Sequence, residues 1–253
     1  MATVFRDHFS NIAAQYAQFR PRYPAALFDY LAGISPGRTL AWDCGTGTGQ
    51  AAVALAAHFT RVEATDAAAG QIAQAEAHRR VNYRLAPAEH SGLNDGSVDL
   101  ITVAQALHWF NLPAFYAEAA RVLRPAGILA VWSYGRTELA DDAAQEVFDR
   151  FYSEIIGPYW PRERRMVEEG YHGITLPFPE LDPPVFTMQA EMTLPALAGY
   201  VRTWSATQNY RLAQGEDPTD LLLASLAGAW PDPREPRTVR WPLALRVARK
   251  PDG

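Results

Sequence analysis

The stretch Thr39–Gln50, TLAWDCGTGTGQ, constrains the fold most, because an apolar run leads into glycines at every second position. Gly45, Gly47 and Gly49 carry no side chains, so the backbone can turn sharply off a strand and a ligand can lie against its amides. The alanine-rich run Gln50–Phe59 predicts a helix whose first turn offers unpaired N–H groups. The pattern favours a strand, loop and helix that bind a nucleotide cofactor, although tight turns also need glycine for conformational reasons alone.

A second strand, Arg61–Asp66 (RVEATD), ends in an acidic residue. A carboxylate at this place can accept hydrogen bonds from both hydroxyls of an adenosine ribose. The alternative is that Asp66 caps a helix beginning near Ala67. Because the glycine loop and the acidic strand end occur together, we expect Asp66 to bind ribose.

The spacing of the glycines separates two cofactor classes. A dinucleotide fingerprint, GxGxxG, would need glycine at position 50, where this chain has Gln50. The sequence therefore favours S-adenosylmethionine, and a nicotinamide oxidoreductase, which should bind NADH, is the rival enzyme class.

Four segments in order, DCGTGTG, VEATD, LAPAEHSGLNDGSVDLITVAQALHWF and RVLRPAGILAVWSYG, resemble class I S-adenosylmethionine-dependent methyltransferases. DHFSNIAAQYAQFRPRYP, QALHWF and YVRTWSATQNY resemble the small-molecule branch that includes trans-aconitate methyltransferases and the cantharidin-resistance methyltransferase of yeast. The resemblance implies a Rossmann-like α/β fold, with a seven-stranded, mostly parallel sheet, helices on both faces and an antiparallel last strand. Two residues depart from the family pattern. Ala126 stands where a second glycine is usual, and we expect it to keep a negative φ; Cys44 is expected to be a small buried neighbour of the loop.

The resemblance also implies the cofactor site. Gln105 would border the methionine portion, and Ala88 and Glu89 would flank the adenine, although Glu89 could equally be a surface charge. The residues expected to bind the cofactor are Asp43, Gly45, Thr46, Gly47, Gly49, Asp66, Ala88, Glu89, Gln105, Tyr16 and Arg20.

The expected chemistry is displacement at a sulfonium methyl group, for which the protein mainly aligns a nucleophile and excludes water. A carboxylate acceptor is already nucleophilic at neutral pH, whereas a hydroxyl or amine would need a general base. His108, just beyond the fourth predicted strand, is the candidate catalytic residue. The alternative is a packing histidine beside Trp109.

Acceptor recognition is assigned to arginines and aromatic residues. Arginines in the N-terminal segment suit carboxylates through their forked donors, and the partner is either the methionine carboxylate or an acidic substrate. They could instead be solvated surface residues. The expected substrate residues are Arg22, Tyr23, Trp109, Trp132 and Trp204.

Alternation of short apolar runs with helical runs predicts a parallel sheet. The predicted strands are Thr39–Asp43, Arg61–Asp66, Val81–Ala86, Val98–Ala104, Ile128–Tyr134, Val185–Met192 and Thr238–Ala248, the last interrupted at Pro242. Helices outside this core are predicted at Asn11–Tyr16, Ala25–Leu31, Asp141–Ile156, Pro195–Gln208 and Pro218–Trp230. We expect one methyltransferase domain over residues 1–253, in which 1–35 form a helical cap, 36–135 the cofactor-binding core, and 136–253 a substrate wall or lid with the remaining strands.

Composition excludes several other classes. The net charge of −5 argues against a nucleic-acid substrate, and no apolar window suits a signal peptide or a membrane span. One cysteine permits no intrachain disulfide, and the six histidines show no metal-ligand spacing, so we expect a cytoplasmic enzyme without a metal. A monomer and a homodimer both stay open. Besides an acidic small molecule, the alternatives for function are a hydroxyl or quinone-like acceptor and a catalytically silent cofactor-binding protein.

Overall fold

A computed structural model describes residues 21–252. The predicted helix Asn11–Tyr16 and the candidate cofactor residues Tyr16 and Arg20 lie outside the described residues.

Five parallel strands form the centre of the main sheet. They are β1 (Leu40–Cys44), β2 (Arg61–Asp66), β3 (Val81–Leu85), β4 (Val98–Ala104) and β5 (Leu123–Ser133). Two later strands extend the sheet, β7 (Glu180–Leu181) and β10 (Ala244–Arg249), after the short β6 (Glu138–Leu139) of a second sheet. The order is β3-β2-β1-β4-β5-β10-β7, and β10 runs antiparallel to both of its neighbours, β5 and β7. The predicted seven-stranded fold is confirmed.

Nine α-helices accompany the sheets within residues 21–252. They are α1 (Ala25–Ile34), α2 (Gln50–Leu55), α3 (Ala69–Ala73), α4 (Leu112–Val122), α5 (Asp142–Arg150), α6 (Arg164–Glu168), α7 (Leu194–Arg202), α8 (Ser205–Gln214) and α9 (Pro218–Leu226).

The main sheet is buried on both faces, as its continuous apolar strands indicate. In β5, Ile128, Ala130 and Trp132 join one hydrophobic cluster, while the intervening Leu129 and Val131 join the other. Alternate side chains of one strand therefore pack in the hydrophobic layers on both faces of the sheet. The carboxyl ends of the parallel strands meet at one edge of the sheet.

The region after β5 differs from the prediction for strand six. The segment predicted as Val185–Met192 forms β8 (Thr187–Met192), but β8 pairs antiparallel with β9 (Arg237–Pro242) in a second, three-stranded sheet ordered β6-β9-β8. The place beyond β10 in the main sheet is taken by β7, which has only two residues. Such a short edge strand carries too little apolar pattern to be recognised from sequence.

The predicted last strand is interrupted at Pro242, as expected, but its halves belong to different sheets. Pro242 ends β9 in the second sheet, and β10 begins at Ala244 in the main sheet. Leu243 between them is buried and donates its backbone N–H to the Phe186 carbonyl at 2.9 Å.

The predicted helix Pro195–Gln208 is two helices, α7 and α8, because the first helix ends at Arg202. The Thr203 hydroxyl donates to the Tyr200 carbonyl at 2.6 Å, and the Thr207 hydroxyl donates to the Val201 carbonyl at 2.8 Å. These bonds use carbonyls that a continuous helix would pair with backbone amides, so α8 starts afresh after Trp204.

Ala126, expected to keep a negative φ, has φ of +59°. That expectation is wrong. The turn before the apolar half of β5 uses the left-handed conformation that glycine adopts without strain, and alanine holds it here with some backbone strain.

Within the described range, 21–252, no helix is both long enough and apolar enough to cross a bilayer.

Candidate functional site

The glycine loop between β1 and α2 depends on the absence of side chains. Gly45, Gly47 and Gly49 have φ of +70°, +56° and +88°. A Cβ on Gly45 would lie 2.6 Å from the Cβ of Ala106, whereas one on Gly47 would meet nothing closer than the Gln71 Oε1 at 3.8 Å. Gly45 is therefore required by both its torsion and its surroundings, and Gly47 by its torsion alone.

Asp43 supports the loop from behind. Its carboxylate accepts hydrogen bonds from the hydroxyls of Thr46 at 2.6 Å and Thr102 at 2.7 Å. Burial raises the pKa of Asp43 to about 6, although these hydroxyls and the Ala52 amide oppose the rise. Asp43 does not line the cavity described below, and its hydrogen bonds link the loop to β4.

Asp66, at the end of β2, accepts backbone amides with both carboxylate oxygens. Its Oδ2 accepts the Gly47 amide at 2.9 Å, and its Oδ1 accepts the Ala68 amide at 2.8 Å, directly before α3. The carboxylate is half-buried at the cavity wall. Each oxygen has a second lone pair, so Asp66 can brace the loop and still accept ligand hydroxyls.

A cavity of about 590 Å³ lies against the loop and the carboxyl edge of the sheet. It brings together most of the candidate cofactor residues within 21–252, namely Gly45, Thr46, Gly47, Asp66, Ala88, Glu89 and Gln105. Gly49 is not on its wall and instead allows close approach of Tyr83, whose hydroxyl would lie 2.1 Å from an added Cβ. Glu89 is a wall residue that accepts the Asn111 amide at 2.8 Å, so it is more than a solvated charge.

Gln105 follows β4 with φ of +56°, a conformation that costs a non-glycine residue about 1 to 3 kcal/mol and concentrates at functional sites. Its side chain donates to the Tyr134 carbonyl at 2.6 Å, and its backbone N–H donates to the Trp132 carbonyl at 2.9 Å. The strained residue is thereby fixed between the two strand ends.

A smaller cavity of about 80 Å³ adjoins the first, because Gln105, Trp109 and Tyr134 line both. Its wall is aromatic, with four other polar side chains besides Gln105. These are His108, Arg164, Thr203 and Ser205. A ligand in the smaller cavity would therefore lie next to a ligand in the larger one.

His108 lies in a single 3₁₀ turn, Leu107–Trp109, after β4. Its Nδ1 is 2.9 Å from the Tyr171 hydroxyl, and its ring contacts Trp109 with centroids 4.7 Å apart. Burial, and then the nearby Arg164 cation, lower the pKa of His108 to about 3. The imidazole is therefore neutral at physiological pH and a weak base.

Arg164 brings a guanidinium to the smaller cavity, with its side chain only 17% exposed. Its Nη2 donates to the Gly135 carbonyl at 2.7 Å, and its Nε donates to the Tyr152 hydroxyl at 3.1 Å and lies 3.5 Å from Glu168. The guanidinium carbon lies 4.4 Å from the ring centroid of Trp160, a cation–π contact. Its Nη1 has no hydrogen-bond partner in the described part of the chain, so two N–H donors stay open to a ligand.

The expected substrate residues separate into two groups. Tyr23 lines the larger cavity, Trp204 the smaller one, and Trp109 both. Arg22 does not join them, since its side chain is 79% exposed and pairs with Glu76 at 3.4 Å. Trp132 is fully buried behind Tyr23, with centroids 5.4 Å apart, and lines neither cavity.

Three residues in or next to these cavities escaped the sequence analysis: Gln71 and Arg164 line them, and Tyr171 contacts His108. Gln71 in α3 is buried on the wall of the larger cavity, where its Oε1 has no partner among residues 21–252. Arg164 lies in WPRERR, where three arginines look alike without the fold. Tyr171 follows Gly170, and only that glycine pointed to an unusual backbone. No group of three or more His, Cys, Asp or Glu side chains able to hold a metal occurs in the described range.

A protein-family model described as a methyltransferase domain matches residues 42–131. A Dictyostelium discoideum protein named as a methyltransferase is 40% identical, with 90% of this chain and 88% of that protein covered. A Saccharomyces cerevisiae protein named as an S-adenosylmethionine-dependent methyltransferase is 26% identical, covering 76% of this chain and 78% of its own length. The solved structure of a type II methyltransferase from Anaeromyxobacter dehalogenans is 44% identical with a TM-score of 0.87, covering 92% of this chain and 99% of that one.

The larger cavity fits S-adenosylmethionine on features of its own. At Gly45 the loop leaves a space that a single Cβ would fill. Asp66 provides carboxylate oxygens that can accept hydroxyl protons, and the amide oxygen of Gln71 has no partner among residues 21–252. Together with its relatives, these features establish that the chain belongs to the class I S-adenosylmethionine-dependent methyltransferases.

Proposed function

We propose that this methyltransferase acts on a small molecule and that the atom it methylates is a carboxylate oxygen. The observation that carries the proposal is the Arg164 guanidinium on the wall of the smaller cavity, which adjoins the cofactor cavity. The Nη1 of this guanidinium has no hydrogen-bond partner among the described residues. The guanidinium is always charged, and an N–H of Nη1 can donate a charge-assisted hydrogen bond to a carboxylate. The aromatic walls suit an apolar body on the same molecule.

The absence of a competent base in the smaller cavity supports a carboxylate over a hydroxyl. His108 is the one imidazole on that wall among the described residues, and its pKa of about 3 makes it a poor proton acceptor at neutral pH. Bound S-adenosylmethionine supplies a sulfonium methyl group, and a carboxylate oxygen that takes this group gives a methyl ester and S-adenosylhomocysteine without losing a proton.

Each cavity residue has a defined task in this proposal. Gly45 and Asp66 hold the nucleoside portion of the cofactor, and Gln105 fixes the boundary between the two cavities. Arg164 binds the acceptor carboxylate, while Trp160 and Trp204 enclose its apolar part and exclude water.

We also propose that the acceptor wall and the cofactor core form one folding unit. The same hydrophobic cluster contains Leu55 of α2, Ile128 of β5, Tyr200 of α7 and Trp241 of β9. A shared core favours a single domain over two independent ones.

The test is an activity panel with matched carboxylic acids, phenols and amines, run on the wild type and on Arg164→Met. Arg164→Met retains an unbranched chain but loses the charge, so we expect the KM for acids to rise about tenfold or more. The dissociation constant of S-adenosylhomocysteine should stay unchanged, because Arg164 does not line the larger cavity. Turnover confined to phenols, or acids turned over equally well by Arg164→Met, would contradict the carboxylate proposal.

A further inference from the structure

Tyr171 is fully buried, yet its hydroxyl contacts a residue of the smaller cavity. It lies 2.9 Å from Nδ1 of His108, and the two rings stack with centroids 6.0 Å apart and planes 28° apart. The contact spans 63 positions of the chain and joins the turn after β4 to the turn after α6.

The backbone holds Tyr171 there against its local preference. Gly170 and Tyr171 have consecutive positive φ values of +58° and +61°. A Cβ on Gly170 would lie 2.7 Å from the Cβ of Ala244 in β10. Arg246 of β10 donates to the carbonyls of Tyr171 and, at 2.5 Å, of Ile174. Contacts with β10 of the main sheet thus stabilise a backbone conformation that a tyrosine would otherwise avoid.

The direction of the hydrogen bond follows from the surroundings of the hydroxyl. Within residues 21–252, Nδ1 of His108 is the one hydrogen-bond partner of the Tyr171 hydroxyl, which is fully buried. A buried O–H without an acceptor is costly, so the hydroxyl donates its proton to the ring. Nδ1 of His108 then accepts, and the proton of the neutral imidazole resides on Nε2.

Nε2 of His108 has no hydrogen-bond partner in the described range, and the residue lines the smaller cavity. We propose that Tyr171 is a positioning residue that holds His108 as a neutral Nε2–H donor, which binds the acceptor carboxylate together with Arg164. This inference rests on the proposed function for the nature of the acceptor, but the tautomer itself does not depend on it.

Two donors of different charge give the acceptor a defined orientation. Arg164 carries a permanent charge and His108 a neutral N–H, so one carboxylate can bridge them without a like-charge pair. Burial and the Arg164 cation keep the His108 pKa near 3, which preserves this neutral donor across the physiological range.

The tautomer can be read without any acceptor, by long-range ¹H–¹⁵N correlation spectra of the ¹⁵N-histidine-labelled full-length protein. We expect an unprotonated Nδ1 whose resonance is displaced by an accepted hydrogen bond, and a protonated Nε2. In Tyr171→Phe that displacement should disappear. A proton on Nδ1 in the wild type, or an unchanged Nδ1 resonance in Tyr171→Phe, overturns the proposal.

Tyr116→Phe is the matched control, because the buried Tyr116 hydroxyl has no hydrogen-bond partner among residues 21–252. It should leave both His108 resonances in place. If Tyr171→Phe fails to fold, the wild-type spectrum alone still decides which nitrogen carries the proton.

A ligand titration separates this inference from the proposed function. Benzoate is the probe and methyl benzoate its neutral counterpart, each added in the presence of S-adenosylhomocysteine. We expect benzoate alone to shift the Nε2–H resonance, and its dissociation constant to rise about tenfold in Tyr171→Phe. A confirmed tautomer without any response to benzoate would overturn the donor role and the carboxylate acceptor but leave the positioning by Tyr171 intact.

Discussion

The cofactor half of this molecule and the half around the smaller cavity, which we propose binds the acceptor and call the acceptor half, are built by different means. The cofactor cavity is shaped by backbone, with three left-handed glycines after β1 and the Asp66 carboxylate that accepts the Gly47 amide. The acceptor cavity is shaped by large side chains from separate segments, including Trp160, Arg164 and Trp204. Backbone geometry is recorded in short motifs, whereas side chains assembled from distant segments leave no local pattern.

The largest expected effect is that of Gly45→Ala, which tests whether backbone alone shapes the cofactor half. The new Cβ would overlap Ala106 at 2.6 Å and occupy a positive φ. We expect the free energy of unfolding to fall by about 3 kcal/mol, measured by urea denaturation. Gly47→Ala is the control, since it carries the same torsional strain without the overlap. Equal losses in both variants would show that the surroundings of Gly45 do not matter.

Asp66→Ala tests a side chain within the half that we attribute to backbone. Its carboxylate faces the cavity and accepts two loop amides, so its loss should weaken S-adenosylmethionine binding by about 2 kcal/mol in calorimetric titration. Asp29→Ala, which removes a carboxylate that is 69% exposed, should bind normally. Unchanged affinity in Asp66→Ala would remove the ribose assignment and leave only the amide contacts.

The acceptor half should show its own dependence on pH. Because the folded-state pKa of His108, about 3, lies below the unfolded value of 6.5, the unfolded chain binds more protons once the pH falls below 6.5. The contribution of His108 to stability is therefore lost on acidification, by about 1 kcal/mol between pH 7 and 5.5, while the raised pKa of Asp43 acts in the opposite direction in wild type and variant alike. His108→Asn retains an acceptor for the Tyr171 hydroxyl and should flatten this slope in denaturation curves. If the free energy of unfolding of His108→Asn changed with pH as steeply as that of the wild type, a group other than His108 would be responsible.

Ala126→Gly should have the smallest effect, and it lies outside both cavities. Relief of the positive φ of +59° favours the folded state, while the greater freedom of glycine in the unfolded chain opposes it. We expect a net gain of about 0.5 kcal/mol in the free energy of unfolding, with unaltered binding of S-adenosylhomocysteine. A loss of stability would show that the turn tolerates alanine without strain.

The sequence predicted the sheet well where strands are buried on both faces. The bounds of β2 and β4, Arg61–Asp66 and Val98–Ala104, agree with the prediction, because continuous apolar runs end at clear turn residues. The sequence failed for β7 and for the sheet that holds β8, since strand partners are set by tertiary contacts that periodicity does not encode.

The candidate site divides in the same way. Gly45, Gly47, Asp66, Glu89 and Gln105 line one cavity, as their placement after strands suggested. Arg164 could not be distinguished from its neighbours in WPRERR, because its importance comes from Trp160, Tyr152 and Gly135, which only the fold brings to it. Trp132 lines neither cavity, because a tryptophan in a central strand is packed into the core.

The junction between β9 and β10 is a single residue, Leu243, and this length limits how the proposed acceptor wall can vary among relatives. The segment that builds the acceptor wall ends in β9 and re-enters the main sheet directly as β10. One residue added or removed at this junction would shift β10 against β5 and exchange the side chains that face the two layers. Changes in length are therefore tolerated only further upstream, and a transplanted acceptor wall must keep this junction at its original length.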